Sequence, residues 1–257
     1  MGNCFYDMPF LPEFLFDPEQ PGLTEGRAKI LTDVQSFPRR YWDPDYVGLA
    51  ILPEFAGLRW EKEIKVDPPP APDSDETRDE IAELLALMKE RAHARAEIMA
   101  QNTDFPLYWL GLLMMNRSSH PATYEMIKVA ARVAEMVMFF YKMKFNRPRP
   151  HQLCPALMPM VAVPGHASYP SGHSLMSHML SHTGAEVRPD AADTLFALAE
   201  RVGRNREIAG LHYRSDTKAG AQIAEGAFKV LLRSRSFQRL RTEARKEWEA
   251  QSRRRGG

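Results

Sequence analysis

The fold is decided by the stretch HPATYEMIKVAARVAEMVMFFYKMKFNRPRP, which occupies residues 120–150. Its apolar side chains recur at intervals of three and four residues, which places them on one face of a helix. They are Met126, Val129, Ala130, Val133, Met136, Val137 and Phe140. Pro121 suits the first turn of this helix, and Lys142 lies near its C-terminal end. Charged residues on the other face predict a helix that is packed on one side and wet on the other.

The rest of the chain predicts more helices and no sheet. Helical stretches are expected from Ser74 or Asp75 to about Ala100, over Leu107–Met115, over Ser174–His182 with Gly184 closing it, from Asp190 to about His212 with a break near Gly203 or Gly210, and over Ala219–Glu249. The sequence contains no alternating apolar pattern long enough for a strand. We therefore predict an all-α protein with a single helical bundle.

The N-terminal quarter differs from the remainder in composition. Residues 1–66 are rich in proline and aromatic residues without a helical period, and DPPPAP at 67–72 is typical of a stiff, extended linker. We predict two parts: an irregular N-terminal arm with a Pro-rich linker over residues 1–72, and a helical catalytic domain over residues 73–257. The second part ends in a basic helix.

Composition indicates an ordinary globular protein. The chain has 257 residues, of which 44% are hydrophobic and 26% charged, so it can bury a core without disulfides. Two cysteines, Cys4 and Cys154, do not make a disulfide framework, which favours a reducing compartment. Apolar runs fall short of the roughly 20 residues that a membrane span needs. Without a secretory signal pattern, the predicted location is cytoplasmic.

Charge is unevenly distributed. The net charge is +1, but residues 229–257 carry ten Lys or Arg and three Glu, which is +7 and leaves −6 elsewhere. A basic C-terminal helix ending in Arg253–Arg255 suits peripheral contact with an anionic membrane, although we favour the simpler explanation of a solvated helix with a frayed tail. Aromatic residues do not interleave with these cations, so nucleic-acid binding is not expected.

Three short blocks share the residue types that an anion site needs: KMKFNRPRP at 142–150, PSGH at 170–173 and REIAGLHYRSD at 206–216. Lys142, Arg149 and Arg206 offer cations, and an arginine can bind two oxygens of a phosphate at once. Pro148 and Pro150 restrict the backbone around Arg149. A small-residue turn that enters a helix adds free N–H groups, and it is formed here by Ser171 and Gly172.

Two histidines could carry the chemistry. His173 follows the small-residue turn, where it could protonate a leaving oxygen. His212 and Asp216 are four residues apart, so the carboxylate can accept one imidazole N–H and leave the other nitrogen free to attack phosphorus or to bind vanadium. His178 and His182 also have a metal-ligand spacing, but no cysteine or nearby carboxylate accompanies them, so no metal site is expected.

The order and spacing of the blocks resemble the signature of the type 2 phosphatidic acid phosphatase and vanadium haloperoxidase superfamily. The resemblance implies a helical bundle and a cradle of oxyanion ligands, namely Lys142, Arg149, Ser171, Gly172 and Arg206. It implies a general acid and base at His173, a nucleophile or vanadate ligand at His212, and an orienting partner at Asp216. The family usually has serine where this chain has Asn205, for which we expect a small perturbation.

Two reactions are compatible with this signature. The first is hydrolysis of a phosphate ester or diphosphate, of a small molecule or a lipid, through a phosphohistidine at His212 and without a cofactor. The alternative is a vanadium-dependent haloperoxidase that holds vanadate in the same site and oxidises halide with peroxide. The chain is short beside the haloperoxidases of the family, which favours the phosphatase. A non-catalytic anion-binding protein would leave His173 and His212 dispensable. The sequence does not predict the oligomeric state.

Overall fold

The computed structural model describes residue 37 and residues 39–255, and the side chains of Arg40 and of residues 251–255 are not among the described ones. Asp43–Gly257 form one compact unit. Its α-helices are α1 (Pro44–Ala56), α2 (Trp60–Glu63), α3 (Asp75–Leu87), α4 (Arg91–Ala100), α5 (Leu107–Leu112), α6 (Pro121–Phe145), α7 (Pro150–Leu153), α8 (Gly172–Val187), α9 (Ala192–Ile208), α10 (Arg214–Leu231) and α11 (Arg235–Arg255). The described residues include no strand, so the predicted all-α class is confirmed.

Helix α6 is the centre of the bundle. Pro121 starts it, and Asn146 ends it in a left-handed conformation with φ 45°. Its apolar stripe is fully buried at Val129, Val133 and Val137, and each such side chain stabilises the fold by about 1.5–3 kcal/mol. The stripe packs in one core with residues of α1, α8, α10 and α11. The last turn of α6, with Lys142, lies next to the PSGH block, since Lys142 Nζ donates to the Pro170 carbonyl.

Helices α8 and α10 approach each other closely where the second and third blocks meet. A Cβ atom on Gly220 would lie 2.8 Å from the Ser171 carbonyl oxygen and 2.9 Å from the Leu175 nitrogen. Ser171 also donates its N–H to the Asp216 carbonyl at 3.0 Å. Glycine at 220 therefore lets the start of α8 lie directly beside the first turn of α10.

Several helix boundaries differ from the prediction. The helix expected from residue 74 to 100 is interrupted by a 3-10 turn at Met88–Glu90. Gly184 does not end α8, because it packs against Leu195 and Leu113 inside the bundle, where a Cβ would lie 3.0 Å from a Leu195 methyl group. A glycine used for close helix packing has the same sequence signal as a C-terminal cap.

The breaks predicted near Gly203 and Gly210 have different outcomes. Gly203 lies inside α9, where a Cβ atom would meet the Thr217 methyl group at 2.7 Å. Helix α9 ends at Ile208, and Gly210 follows with φ 76°. The helix predicted over 219–249 is two helices, α10 and α11, separated at residues 232–234.

Part of the segment assigned to an arm and linker is helical. Residues 43–72 contribute α1 and α2 to the compact unit, and Asp45 of α1 accepts hydrogen bonds from Lys128 and Arg132 of α6. Residues 1–36 lie outside the described residues, so the division of the chain at residue 72 stays a prediction. Among the helices of the described part, none combines the length and apolar character of a membrane span.

Candidate active site

The His212–Asp216 pair has the geometry predicted from its spacing. His212 lies in the connection between α9 and α10, and its Nδ1 is 3.1 Å from Asp216 Oδ2 in the first turn of α10. The same oxygen accepts hydrogen bonds from the Tyr213 N–H at 3.1 Å and from the Ser168 hydroxyl. Within the described part of the chain, His212 Nε2 has no hydrogen-bond partner. The lone pair of Nε2 is therefore available for bonding to another atom.

Burial keeps His212 neutral, and hydrogen bonds and neighbouring charges keep Asp216 ionised. Desolvation lowers the pKa of His212 well below its usual range, and this outweighs the hydrogen bond to Asp216. Desolvation alone would raise the pKa of Asp216, but hydrogen bonds and charges from His212, Arg147 and Ser168 lower it instead. At neutral pH the pair is a neutral imidazole beside a carboxylate, which is the form that a nucleophilic histidine requires.

Of the three predicted cations, Arg206 has the most unused hydrogen-bonding capacity. The side chain is 0% exposed, and its Nη2 donates to the Ile98 carbonyl at 2.8 Å. Its Nε and Nη1 atoms are buried without a partner among the described residues. Burial lowers the pKa of Arg206 to about 10. A buried guanidinium with unpaired N–H groups is costly unless an anion compensates it, so these donors fit an oxyanion.

The other two predicted cations are held by loop carbonyls. Lys142 Nζ donates to the carbonyls of Ala167, Ser168 and Pro170 at 2.6–3.1 Å, which uses all three of its hydrogens. Burial and the charge of Arg149 lower the pKa of Lys142 to about 7. Lys142 thus contributes charge to the site while it fixes the segment that leads into PSGH.

Arg149 is fixed in a similar way. Nε donates to the His166 carbonyl at 2.9 Å and Nη1 to the Leu211 carbonyl at 3.0 Å, while Nη2 is 3.1 Å from His166 Nδ1. Burial lowers the pKa of Arg149 to about 10. Three of its five N–H groups are therefore engaged, and the Leu211 bond ties the first block to the residue before His212.

The PSGH segment forms the start of α8. Ser171 is the N-cap, and its hydroxyl oxygen accepts a bond from the Ser174 N–H at 3.4 Å. A Cβ atom on Gly172 would lie 2.3 Å from Met138 Sδ, so a larger residue there would require the Met138 side chain to move. The capping role of Ser171 leaves its hydroxyl hydrogen available, since an N-cap side chain acts as an acceptor.

His173 is anchored by the C-terminal end of α4. Its Nε2 is 3.1 Å from the Gln101 carbonyl, and its ring stacks on Phe105 with centroids 4.6 Å apart. A carbonyl oxygen can only accept, so Nε2 carries a hydrogen and Nδ1 is the nitrogen that gains or loses the exchangeable proton. Burial, then the charge of Arg206, lowers the pKa of His173 to about 3. The charges of Lys142 and Arg149 contribute to the same shift, so all three cations act on one imidazole.

Residues outside the predicted set complete the site. Arg147 donates to Asp216 Oδ1 at 2.7 Å and to Glu80 at 2.8 Å, and both carboxylates are buried. The sequence signal for Glu80 is its place between Thr77 and Leu84 on the buried face of α3, where a carboxylate needs a partner. Six buried charged side chains, four cations and two carboxylates, give the site a formal charge of +2; they are Lys142, Arg147, Arg149, Arg206, Glu80 and Asp216.

Asn205 clamps the end of α4. Its amide nitrogen donates to Glu97 Oε2 and to Gln101 Oε1, both at 2.9 Å. A serine hydroxyl has one hydrogen and cannot donate to both.

We expect Asn205→Ser to lower the free energy of unfolding by about 1 kcal/mol, the value of one lost hydrogen bond. Because His173 is held by the Gln101 backbone, kcat should change little; a loss of activity without a loss of stability would contradict this prediction.

His178 and His182, for which no metal site was expected, have other contacts. His178 Nδ1 is 2.8 Å from the Ser174 carbonyl, and His182 stacks on Phe228 at 5.2 Å. The described residues contain no group of three or more His, Cys, Asp or Glu side chains arranged to hold a metal ion. His166 lies before PSGH with its ring against Phe139, at 5.6 Å between centroids.

Comparison with known proteins agrees with the geometry. Residues 127–239 match the PAP2 superfamily. Non-specific acid phosphatases from Salmonella typhi and Providencia stuartii are 34% and 31% identical over 80 and 81 residues, which is 31% and 32% of this chain and 32% and 33% of those proteins. An acid phosphatase from Zymomonas mobilis is 35% identical over 82 residues, 32% of this chain and 31% of that protein. The chain thus spans about a third of the length of these curated relatives.

A solved structure is also similar. It is the transmembrane PAP2 type phosphatidylglycerolphosphate phosphatase from Bacillus subtilis, with a TM-score of 0.48, 15% identity, and coverage of 76% of this chain and 96% of that one. The resemblance predicted from the three blocks is confirmed, because residues 127–239 match the PAP2 superfamily. The roles of the individual site residues stay predictions.

Proposed function

We propose that this protein is a phosphohydrolase that cleaves a phosphate ester or diphosphate through a phosphohistidine at His212. The observation that carries the proposal is the buried Arg206, whose Nε and Nη1 lack partners among the described residues. The formal charge of +2 on the six buried groups matches that of a phosphate dianion with opposite sign. The acid phosphatase relatives favour the same reaction class.

In the first step, the lone pair of His212 Nε2 attacks phosphorus. The P–O bond to the leaving group breaks, and the leaving oxygen takes a proton from His173 Nδ1. Positive charge develops on the His212 ring, where Asp216 stabilises it through the 3.1 Å contact with Nδ1. Arg206, with Lys142 and Arg149, stabilises the charge on the non-bridging oxygens.

In the second step, water opens the phosphohistidine. His173 Nδ1 accepts a proton from the attacking water, the P–N bond breaks, and its electron pair returns to His212 Nε2. The products are an alcohol and inorganic phosphate, and both histidines recover their starting forms. The Gln101 carbonyl holds His173 by Nε2 throughout, which leaves Nδ1 to exchange the proton in both steps.

The low pKa of His173 predicts an acidic activity profile. With a pKa of about 3 in the anion-free site, His173 is neutral at pH 7 and has no proton to donate. A monoanionic ester, whose second pKa is about 6, must then bring the proton and transfer it to His173 Nδ1 on binding, which leaves the bound ester as a dianion. We expect kcat/KM to fall about tenfold per pH unit above about pH 6. The Lys142 charge, with a pKa of about 7, is lost as well, so above about pH 7 the decline in kcat/KM should be steeper than tenfold per pH unit.

This prediction is tested by measuring kcat/KM for a phosphate monoester from pH 4 to 9. An ester with a lower second pKa should move the decline to lower pH by the same amount. A profile that stays flat to pH 9 would show that His173 does not obtain its proton in this way.

The reaction class is tested with the purified protein. We expect hydrolysis of p-nitrophenyl phosphate, inhibition by vanadate, and an acid-labile, base-stable phosphoprotein after rapid quenching. The same donors would hold vanadate, so peroxide-dependent bromination with added vanadate is assayed in parallel. Bromination without hydrolysis would replace the proposed reaction with the haloperoxidase alternative. In the phosphatase no cofactor is required, so chelators should leave hydrolysis unchanged.

The substrate is proposed by chemistry alone, as a phosphate ester of a small molecule or a lipid. Peripheral membrane contact through α11 stays a prediction; Arg241 and Arg245 of that helix contact Glu186, and the side chains of Arg253–Arg255 lie outside the described ones. The cytoplasmic location also stays a prediction.

A further inference from the structure

A buried carboxylate on α3 contacts the start of α10. Glu80 is 5% exposed and lies more than 60 residues before the first block in the sequence. Its Oε1 accepts the Ser215 N–H at 2.6 Å, and its Oε2 accepts the Ser215 hydroxyl at 2.9 Å. Glu80 therefore fixes the residue next to Asp216 through both its backbone and its side chain.

Arg147 joins Glu80 to the reacting pair. Its Nη2 donates to Glu80 Oε2 at 2.8 Å, and its Nη1 donates to Asp216 Oδ1 at 2.7 Å. The guanidinium lies over the Tyr213 ring, 3.7 Å from the centroid. A guanidinium packed on a ring and bonded at two nitrogens has one orientation, so Arg147 transmits the position of Glu80 to Asp216.

The two oxygens of Asp216 have separate tasks. Oδ1 faces Arg147, and Oδ2 faces His212. Alone, Arg147 would neutralise most of the charge that Asp216 offers to the imidazole. Because Glu80 accepts from the same guanidinium, the three buried groups keep one net negative charge next to His212. The chain of contacts runs Glu80, Arg147, Asp216, His212.

We propose that Glu80 is a positioning residue for the nucleophile, which acts on His212 through Arg147 and Asp216. This rests on the proposed function, in which His212 attacks phosphorus. Glu80 touches neither substrate nor the reacting atoms. Its contribution is to orient the Asp216 carboxylate and to preserve the negative charge that stabilises the ring as positive charge develops on it.

A purely structural role is the competing explanation, since Glu80 also fastens α3 to α10. The chain offers a matched control for this. Glu83, one turn along α3, contacts Arg214 of α10 at 3.2 Å on the surface. Glu80→Gln and Glu83→Gln make the same chemical change and weaken the same pair of helices, but only the first alters the contacts of Arg147.

We expect Glu80→Gln to lower kcat on the order of tenfold, the effect typical of partners that orient a catalytic histidine. The vanadate inhibition constant and KM should stay close to those of the unmodified protein, because the oxyanion donors are intact. Glu83→Gln should leave kcat unchanged. Equal effects of the two variants, or an unchanged kcat in a folded Glu80→Gln protein, would overturn the proposal.

A second measurement does not depend on activity. In protein with ¹⁵N-labelled histidine, the Nδ1–H signal of His212, assigned by its loss in His212→Asn, should shift in Glu80→Gln and not in Glu83→Gln. If the unmodified protein hydrolyses no ester, the proposed function fails while this signal still tests the link. If Glu80→Gln does not fold, Ser215→Ala is the deciding variant. It keeps every charge and removes the hydroxyl that donates to Glu80 and accepts from Arg147 Nη1 at 2.7 Å. An unmoved signal and unchanged kcat in Ser215→Ala would then refute the proposal.

Discussion

Replacement of His212 by alanine is expected to lower kcat by at least about 10⁴-fold, as the loss of a nucleophile does in other covalent mechanisms. Nε2 is the atom without a partner among the described residues, and Asp216 holds the opposite ring nitrogen. Alanine leaves no group at that position to form the covalent intermediate. The measurement is kcat for p-nitrophenyl phosphate together with the yield of quenched phosphoprotein, which should fall to background.

His182→Ala is the matched control for that substitution. His182 is another histidine of the bundle, and it stacks on Phe228 away from the cations. We expect it to change stability and to leave kcat and the phosphoprotein yield as they are. If His212→Ala kept more than a small fraction of the activity, the nucleophile would have to be a different group.

The substitution Arg206→Met is expected to lower kcat/KM on the order of 10³-fold, because it removes several donors to the developing oxyanion. The same substitution should not lower the stability of the folded protein. Methionine fills a similar volume without burying a guanidinium whose Nε and Nη1 lack described partners, and apolar replacement of a poorly compensated buried charge is often stabilising. We therefore expect a melting temperature equal to or above that of the unmodified protein.

Ligand binding separates this effect from general damage. Vanadate should raise the melting temperature of the unmodified protein, because a ligand that binds the folded state stabilises it. It should not raise the melting temperature of Arg206→Met if that variant no longer binds vanadate. Arg204→Met is the control, because Arg204 lies on the same helix, is 47% exposed and pairs with Glu207 at 3.0 Å. A vanadate shift that persists in Arg206→Met would show that Arg206 does not bind the oxyanion.

The sequence predicted the parts of the site that depend on residue type and spacing. The four-residue interval between His212 and Asp216 is enough to bring a carboxylate to an imidazole, and the structure has that contact. The stripe from Met126 to Val137 likewise determines which face of α6 is buried. Local periodicity carries this information because neighbouring turns of a helix share a face.

Other parts depend on tertiary contacts that no local pattern encodes. Glu80 belongs to the site only because α3 packs beside α10. The sequence of α3 predicts that this carboxylate is buried, but not which residue pairs with it. The hydrogens of Lys142 are directed to carbonyls by the conformation of the loop that precedes PSGH. The glycines at 184 and 203 were expected near helix ends and instead allow close packing, since both uses need a missing side chain.

The carbonyls at the end of α4 have a consequence for how small a working enzyme could be. Ile98 holds Arg206 and Gln101 holds His173 through backbone oxygens, and both residues precede the family segment 127–239. A fragment that began at residue 127 would retain every signature residue. It would nevertheless lack the oxygens that aim the proton donor and one oxyanion ligand, and it would lack Glu80 as well. Under the proposed mechanism, the minimal catalytic unit of this chain is therefore longer than the segment that matches the PAP2 superfamily.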